Sequence, residues 1–251
     1  PGGGLGRVQG QQAGRLGHVD ERAVALVAQQ GVGPGAVLLE PGSPQHEHVD
    51  IAVVVVVGLH HVEPAGEAVQ TRRCGAVLEA AGLRAYTYGV AGTSLDKEEN
   101  RKLFEFAKFM GMKLIIVEPG DFRIWDNLEE LAKEYDIKVA VHNHGIKSLY
   151  GNPAIVRQVV LNRDPRLGVC MDVGWVTSGN FDAAQVYKDY KGRVFDIHLK
   201  DKKVQKTAKG DDVANDTHVG EGDANYKGLF KALRESGYTG RLAIETDSQD
   251  F

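Results

Sequence analysis

The sequence predicts an α/β chain folded as a (β/α)8 TIM barrel, incomplete or atypical in its N-terminal quarter and lacking the last helix. Three observations predict it. First, six short apolar runs in the last two thirds of the chain end on, or next to, a polar group. They read Arg-Ala-Tyr-Thr-Tyr88, Leu-Ile-Ile-Val-Glu118, Val-Ala-Val-His142-Asn143-His144, Gly-Val-Cys-Met-Asp172, Val-Phe-Asp-Ile-His198-Leu-Lys200-Asp201 and Arg-Leu-Ala-Ile-Glu245. Second, helical patterns separate these runs, which makes the strands parallel and gathers their polar groups at one end of the sheet. Third, a doubly wound dinucleotide-binding sheet would place Gly-x-Gly-x-x-Gly between its first strand and helix, and the Gly-rich start here precedes no such pair. Polar residues recurring at the C-terminal ends of many strands are how a barrel assembles a site instead.

Each element has its own signal. Arg84 to Val90 is expected as a strand, and Leu95 to Met110 as an amphipathic helix with Leu103, Phe104, Phe106, Ala107 and Met110 on its apolar side. Lys113 to Glu118 follows as a strand, then a helix from Trp125 to Tyr135 with Leu128 and Leu131 inward. Lys138 to His142 is the next strand. Asn152 to Leu161 is its helix, with Pro153 at a first helical position where the missing N–H costs nothing. Leu167 to Asp172, Phe181 to Tyr190, Val194 to His198, Tyr226 to Ser236 and Arg241 to Glu245 complete the alternation, and Gly237 sits where a helix C-cap needs it.

The first part of the chain has another character. Before Tyr86 there is no Lys, Phe, Tyr, Trp, Met or Asn, while Gly, Val, Ala, Gln and His abound. We divide the chain into an atypical Gly/Val-rich segment, 1–77, and a barrel domain, 78–251, holding the third to eighth strands. One reading of the first segment is a biased but real N-terminal part, with a helix at Ala23 to Gln29 and a buried strand at Asp50 to Val57. The other is a stretch that is not the native partner of the barrel domain, such as a wrong-frame translation of GC-rich DNA or a misjoined fragment. Val53 to Val57 is the best candidate for a substitute strand. Without substitutes, a six-stranded remnant would expose two sheet edges, and copies of the chain would pair as a homo-oligomer or precipitate.

Composition excludes several classes. With 251 residues and a formal net charge of -4, the chain is long enough for one large α/β domain, and no basic face for nucleic acid is implied. The two cysteines, Cys74 and Cys170, make no disulfide framework; Cys170, inside an apolar run, reads as a buried free thiol in a reducing, cytoplasmic compartment. The longest aliphatic stretch, Ile51 to Leu59, falls short of the roughly 20 residues that span a bilayer, so no membrane partner is expected.

Residues two apart on a strand point the same way. If Asp172, His198 and Glu245 face the barrel axis, so do Asp196 and Lys200, and His142 shares its face with His144. Carboxylate oxygens and imidazole nitrogens together suit a divalent ion such as Mn²⁺, Mg²⁺, Co²⁺ or Zn²⁺, with positions left for substrate. Each residue also has a plainer reading. An Asp or Glu at a strand end is often a helix N-cap. A histidine pair is often a hydrogen-bonded core pair, and a Lys at a strand end is often solvated. The Lys202 to Lys209 run reads as an exposed, mobile loop.

Taken in order, Val-His142-Asn143-His144-Gly145, Met171-Asp172-Val-Gly174-Trp175, Asp196-Ile-His198-Leu-Lys200-Asp201, Val219-Gly220-Glu221-Gly222 and Ala-Ile-Glu245 resemble the motifs of the xylose-isomerase-like TIM-barrel proteins, the sugar phosphate isomerase/epimerase group. The resemblance runs from about Leu78 to the C-terminus. It implies a metal-dependent barrel acting on a sugar, keto-sugar or polyol, with Asp172, His198 and Glu245 as ligands from the sixth to eighth strands. Many relatives supply a fifth-strand Glu where this chain has His142, so His142 and His144 compete for that ligand position. The resemblance further implies proton transfer beside a carbonyl by Glu245, with His142, His144 or Glu118 as the second group. Lys200 is then a candidate to hold an oxyanion, and Trp175, His218, Gly220 and Gly222 are candidates to border the substrate.

Isomerisation or epimerisation through an enediolate is the first expectation. A His in the fifth-strand position also suits a keto-sugar lyase or hydratase. An endonuclease IV-like phosphodiesterase would need more histidines, for which His60 and His61 are the candidates, and a basic DNA-facing surface. A non-catalytic truncated barrel is the remaining alternative.

Overall fold

The computed structural model describes residues 36–41, 53–56, 83–206 and 212–245. In chain order the elements are β1 (Ala36–Pro41), β2 (Val53–Val56), β3 (Leu83–Ala91), α1 (Lys97–Phe109), β4 (Leu114–Val117), α2 (Ile124–Tyr135), β5 (Lys138–His142) and α3 (Pro153–Leu161). Next come β6 (Leu167–Asp172), α4 (Val173–Ser178), α5 (Ala183–Asp189), β7 (Val194–Leu199), β8 (Asp201–Lys206), β9 (Asp212–Thr217), α6 (Tyr226–Ser236) and β10 (Arg241–Ile244). The helix expected at Ala23 to Gln29, and Cys74, His60 and His61, lie outside the described residues. Among the described residues no helix is long and apolar enough to cross a membrane.

The six apolar runs are β3, β4, β5, β6, β7 and β10, and they pair in parallel in that order. This is the barrel wall, with helices packed on its outer side. At its N-terminal edge β1 pairs antiparallel with β3, and β2 antiparallel with β1. The candidate substitute strand at Val53 therefore forms and runs in the direction of the barrel strands, but it is joined to them through β1, which runs the opposite way. Only residues 42–52 separate β1 from β2, and a parallel crossover needs about a dozen or more. Because β2 also lies against β10, the eight-stranded sheet curls round toward closure.

Strand alternation creates two cores. Ile115, Val117, Val139, Val141, Val169, Met171 and Ile197 point outward and pack under the helices on Phe104, Trp125, Leu128 and Leu131. Leu114, Ile116, Ala140 and Cys170 point inward, with Tyr86, Val90 and Phe195 against them. Burying a large apolar side chain in either layer contributes about 1.5–3 kcal/mol. The inward row ends in apolar residues at the N-terminal side and in polar ones at the other, which is what aims the site. A register shift in the β6–β7 pairing, where Val169 faces Val194 but Cys170 faces Asp196, makes Phe195 an extra residue.

The helices start where capping side chains allow. Asp96 and Asn152 accept from the amides of Glu98 and Ala154 at the starts of α1 and α3. Gly237 closes α6 with φ of 65°, in the left-handed region that glycine adopts without cost.

Two features differ from the sequence reading. Helix α4, unanticipated, begins directly on the last residue of β6; at less than two turns it carries too short a pattern to register. The Lys202 to Lys209 run is not a loop throughout: Asp201–Lys206 pairs with Asp212–Thr217 as an antiparallel hairpin, and Lys202 is buried. Its charge suggested solvent, but the run alternates, and the inward member finds a carboxylate and an aromatic ring.

Candidate metal centre

Strand register sets the centre. Asp172 and His198 are direct partners across β6 and β7, His142 lies beside Cys170 one rung lower, and Glu245 immediately follows β10. His142 Nε2 is 3.2 Å from His198 Nδ1 and 3.7 Å from Asp172 Oδ2. His198 Nδ1 also meets Glu245 Oε2. Lys200 Nζ donates to Glu245 Oε1 at 3.0 Å and stands 3.6 Å from Asp172 Oδ2. One ligand atom from each of His142, Asp172, His198 and Glu245 falls within 4.8 Å of all the others.

Asp172 serves two purposes at once. Its Oδ1 accepts from the Trp175 amide at 2.8 Å and so caps α4, while its Oδ2 is buried without a hydrogen-bond partner and faces the centre. The cap reading and the ligand reading of this residue are therefore compatible. Asn143 fixes the neighbouring strand ends by exchanging two hydrogen bonds with the Asp172 backbone, N–H to Oδ1 at 2.9 Å and Nδ2 to carbonyl at 3.1 Å. The sequence reading assigned Asn143 no role; its position between two histidines at a strand end was the available signal.

Burial dominates the electrostatics. It pushes the Asp172 carboxyl up to about 6 against the pull of Lys200, and pushes Asp196, one rung deeper, up to about 6 as well. Burial likewise holds His142 well below the usual histidine range, with His198 adding repulsion. Burial alone would raise Glu245, but His198 and Lys200 beside it hold the carboxylate ionised.

His144 stands outside the four-group cluster. Its Nδ1 lies 2.5 Å from Glu118 Oε2, its ring is 4.5 Å from that of His142 centre to centre, and the Glu118 hydrogen bond raises its pKa against burial. The difference from His142 is geometric: His144 lies beyond the end of β5, where it is half-buried and leans to the β4 side. Trp175 stands 5.8 Å from the His144 ring, and Lys202 Nζ lies 4.0 Å over the indole. His218 and Gly220 are exposed in the turn after β9, and Gly222 is half-buried beside Asp201. The turn joins the centre through Asp201, which accepts from the Gly220 and Gly222 amides next to Lys200. Asp201 and Lys202, unassigned from sequence, are both buried.

The donors present fit a divalent ion. Two imidazoles and two carboxylates are borderline-to-hard ligands. Asp172 Oδ2 is buried without a hydrogen-bond partner, a costly arrangement that a cation would relieve. Cys170 forms a second, softer group with His142 and His198. Burial pushes its thiol up to about 12, so it contributes no thiolate in this state.

Comparison with known proteins agrees with the fold. The sequence profile of the xylose isomerase-like TIM barrel family matches residues 53–250. An inosose dehydratase of Clostridium perfringens (strain ATCC 13124) is 26% identical over 198 residues, covering 62% of this chain and 66% of that relative. The match thus spans just under two thirds of the relative's length. Among solved structures, a xylose isomerase domain protein from Planctomyces limnophilus superposes with a TM-score of 0.58 at 19% identity, over 75% of this chain and 79% of that one. The IOLI protein, solved with a zinc atom, gives 0.50 at 19% identity, over 61% and 60%.

Proposed function

Because the chain belongs to the xylose isomerase-like TIM barrel family, we propose that it is a divalent-metal-dependent enzyme acting on a keto-sugar or keto-polyol, and that its reaction is the elimination of water beside the carbonyl. The observation that carries the metal is the convergence of four ligand atoms within 4.8 Å, with the buried Asp172 Oδ2 left unpartnered. His142, Asp172, His198 and Glu245 would hold the ion, and zinc in a structural relative supports the choice of a divalent metal. When bound, such an ion polarises a substrate carbonyl as a Lewis acid.

The remaining chemistry falls to side chains. Elimination needs a base for the proton on the carbon next to the carbonyl and an acid for the departing hydroxyl. Glu245, kept ionised by its neighbours, takes the proton. His144, whose pKa the Glu118 hydrogen bond raises, gives one to the leaving hydroxyl, so that a C–H and a C–O bond break, a C=C bond forms and one water departs. Lys200, buried against Glu245 and Asp172, steadies negative charge on the substrate oxygen. Trp175 offers its indole to the apolar face of the ring. The dehydratase relative and the imidazole at the fifth-strand position favour this reaction over the isomerisation first expected.

Epimerisation remains the second reading, supported by one observation: Glu245 follows β10 and Glu118 follows β4, at opposite ends of the strand row β10-β7-β6-β5-β4, and two-base proton exchange needs groups on opposite sides of the substrate. Incubating the metal-loaded protein with an inosose in D₂O separates the two. A product lighter by one water supports elimination, and a product of unchanged skeleton carrying carbon-bound deuterium supports epimerisation. Neither product with Mn²⁺, Co²⁺, Mg²⁺ or Zn²⁺ would sink both.

A further inference from the structure

Asp201 is buried to 1% exposure, one residue beyond Lys200, so strand alternation turns its side chain away from the metal centre. Its carboxylate is filled by backbone. Oδ1 accepts from the amides of Lys202 at 2.9 Å and Ala224 at 3.2 Å, and Oδ2 from those of Gly220 at 2.9 Å and Gly222 at 3.0 Å. Three of these four amides belong to the segment after β9. Hydrogen bonds to a charged acceptor are about twice as strong as neutral ones, so one side chain fixes a segment that has no regular structure of its own.

The surroundings tighten the arrangement. A Cβ at Gly222 would lie 2.0 Å from Asp201 Oδ1, so only glycine allows the approach. The Asp223 amide donates to the Lys202 carbonyl at 3.0 Å, and the Tyr226 hydroxyl to the Lys200 carbonyl at 2.9 Å. The backbone on both sides of Asp201 is thereby tied to the same segment. Through Lys200 it is tied to Glu245 and Asp172, and through Lys202 to Trp175.

We propose that Asp201 is a positioning residue, whose carboxylate holds the segment from Gly220 to Ala224 in one arrangement beside Lys200 as a fixed wall of the substrate pocket. This rests on the keto-polyol reading above. It predicts a division of labour that a merely structural clamp lacks: loss of Asp201 should spare the metal and harm the substrate.

The test uses the whole chain, with D201N and G222A as variants. Asparagine presents an NH₂ group to amide donors, and alanine at 222 opens the clamp while keeping the charge. Three quantities are read: the affinity for Co²⁺ alone, the hydrogen exchange of the Gly220, Gly222 and Ala224 amides with and without myo-inositol, and kcat and KM for an inosose. In both variants we expect Co²⁺ affinity within about twofold of the parent, faster exchange of the loop amides, and a KM raised about tenfold with a smaller fall in kcat. In the parent, myo-inositol should slow exchange of the loop amides. Unchanged KM in a variant whose loop amides exchange freely overturns the proposal. If D201N has no cooperative melt, G222A and the parent decide. In the parent, slowed exchange around His142 and His144 without any change in the loop overturns the wall alone, whereas no slowing at either place, with no turnover, overturns the substrate reading beneath it.

Discussion

Lys202 lies across the indole of Trp175, its Nζ 4.0 Å from the ring centroid and 2.5 Å from Asp216 Oδ1. The contact docks the β8–β9 hairpin on α4, beside the strand end that supplies Asp172. A charge this buried is held by its partners or not at all.

Lys202→Ala should therefore destabilise the fold by about 1–3 kcal/mol, since it removes a cation–π contact and leaves Asp216 without its partner. Denaturant titration measures the loss, and Trp175 emission should shift to the red as water reaches the ring. A variant as stable as the parent with unchanged emission would show that the hairpin docks by other contacts.

Metal should couple to stability through the four-group centre. At about a hundredfold excess over its dissociation constant, an ion that binds only the folded chain stabilises by about 2.7 kcal/mol. The chelated parent should melt cooperatively and at a higher temperature once Mn²⁺, Co²⁺ or Zn²⁺ is restored. Asp172→Ala, His198→Ala and Glu245→Ala should lose that rise. Equal metal-induced shifts in all three variants would place the ion elsewhere.

Glu129 gives the fold a defined dependence on acid. The Lys133 ammonium, 2.8 Å away, lowers its pKa against burial, and Arg163 at 3.0 Å and the Asp164 amide reinforce the effect. A depressed carboxyl contributes stability above its unfolded pKa and loses it as pH falls through the folded value. Glu129→Gln should thus cost about 0.5–1 kcal/mol at pH 6, with the gap to the parent closing below pH 4. A gap that stayed constant down to pH 3 would mean that packing, and not charge, is what the substitution removed.

Two glycines should respond oppositely to the same change. A Cβ at Gly168 would sit 2.3 Å from the Arg193 carbonyl oxygen and from the Phe195 ring, whereas at Gly120 it meets nothing within 4 Å. Gly168→Ala should cost about 1–3 kcal/mol or more by overpacking, and Gly120→Ala should stay within about 0.5 kcal/mol of the parent. Thermal melts of the pair check this directly; equal melts would mean that β6 and β7 yield where they are drawn tight.

The wall of the barrel, and the end at which its polar groups gather, are legible in the sequence alone. β5, β6 and α6 fall on their expected bounds because their signals are local: apolar runs closed by a polar residue, Pro153 and Asn152 at a helix start, Gly237 at a helix end. The inward facing of Asp172, His198 and Lys200 comes from the two-residue repeat of a strand, which needs no knowledge of neighbours.

Which polar residues meet is settled only by packing in three dimensions. His142 and His144 are equivalent by alternation, yet the stagger between strands brings His142 to His198 and leaves His144 to Glu118. The same holds for Lys202, which is buried because Trp175 and Asp216 wait for it, and for Asp201, whose four amide partners lie mostly some twenty residues away. The antiparallel entry of β1 and β2 is likewise a matter of pairing across the sheet. Local pattern fixes the direction of a side chain, but register and long-range contact fix its partner, and a partner's charge and distance decide whether a polar group is a ligand, an acid or a clamp.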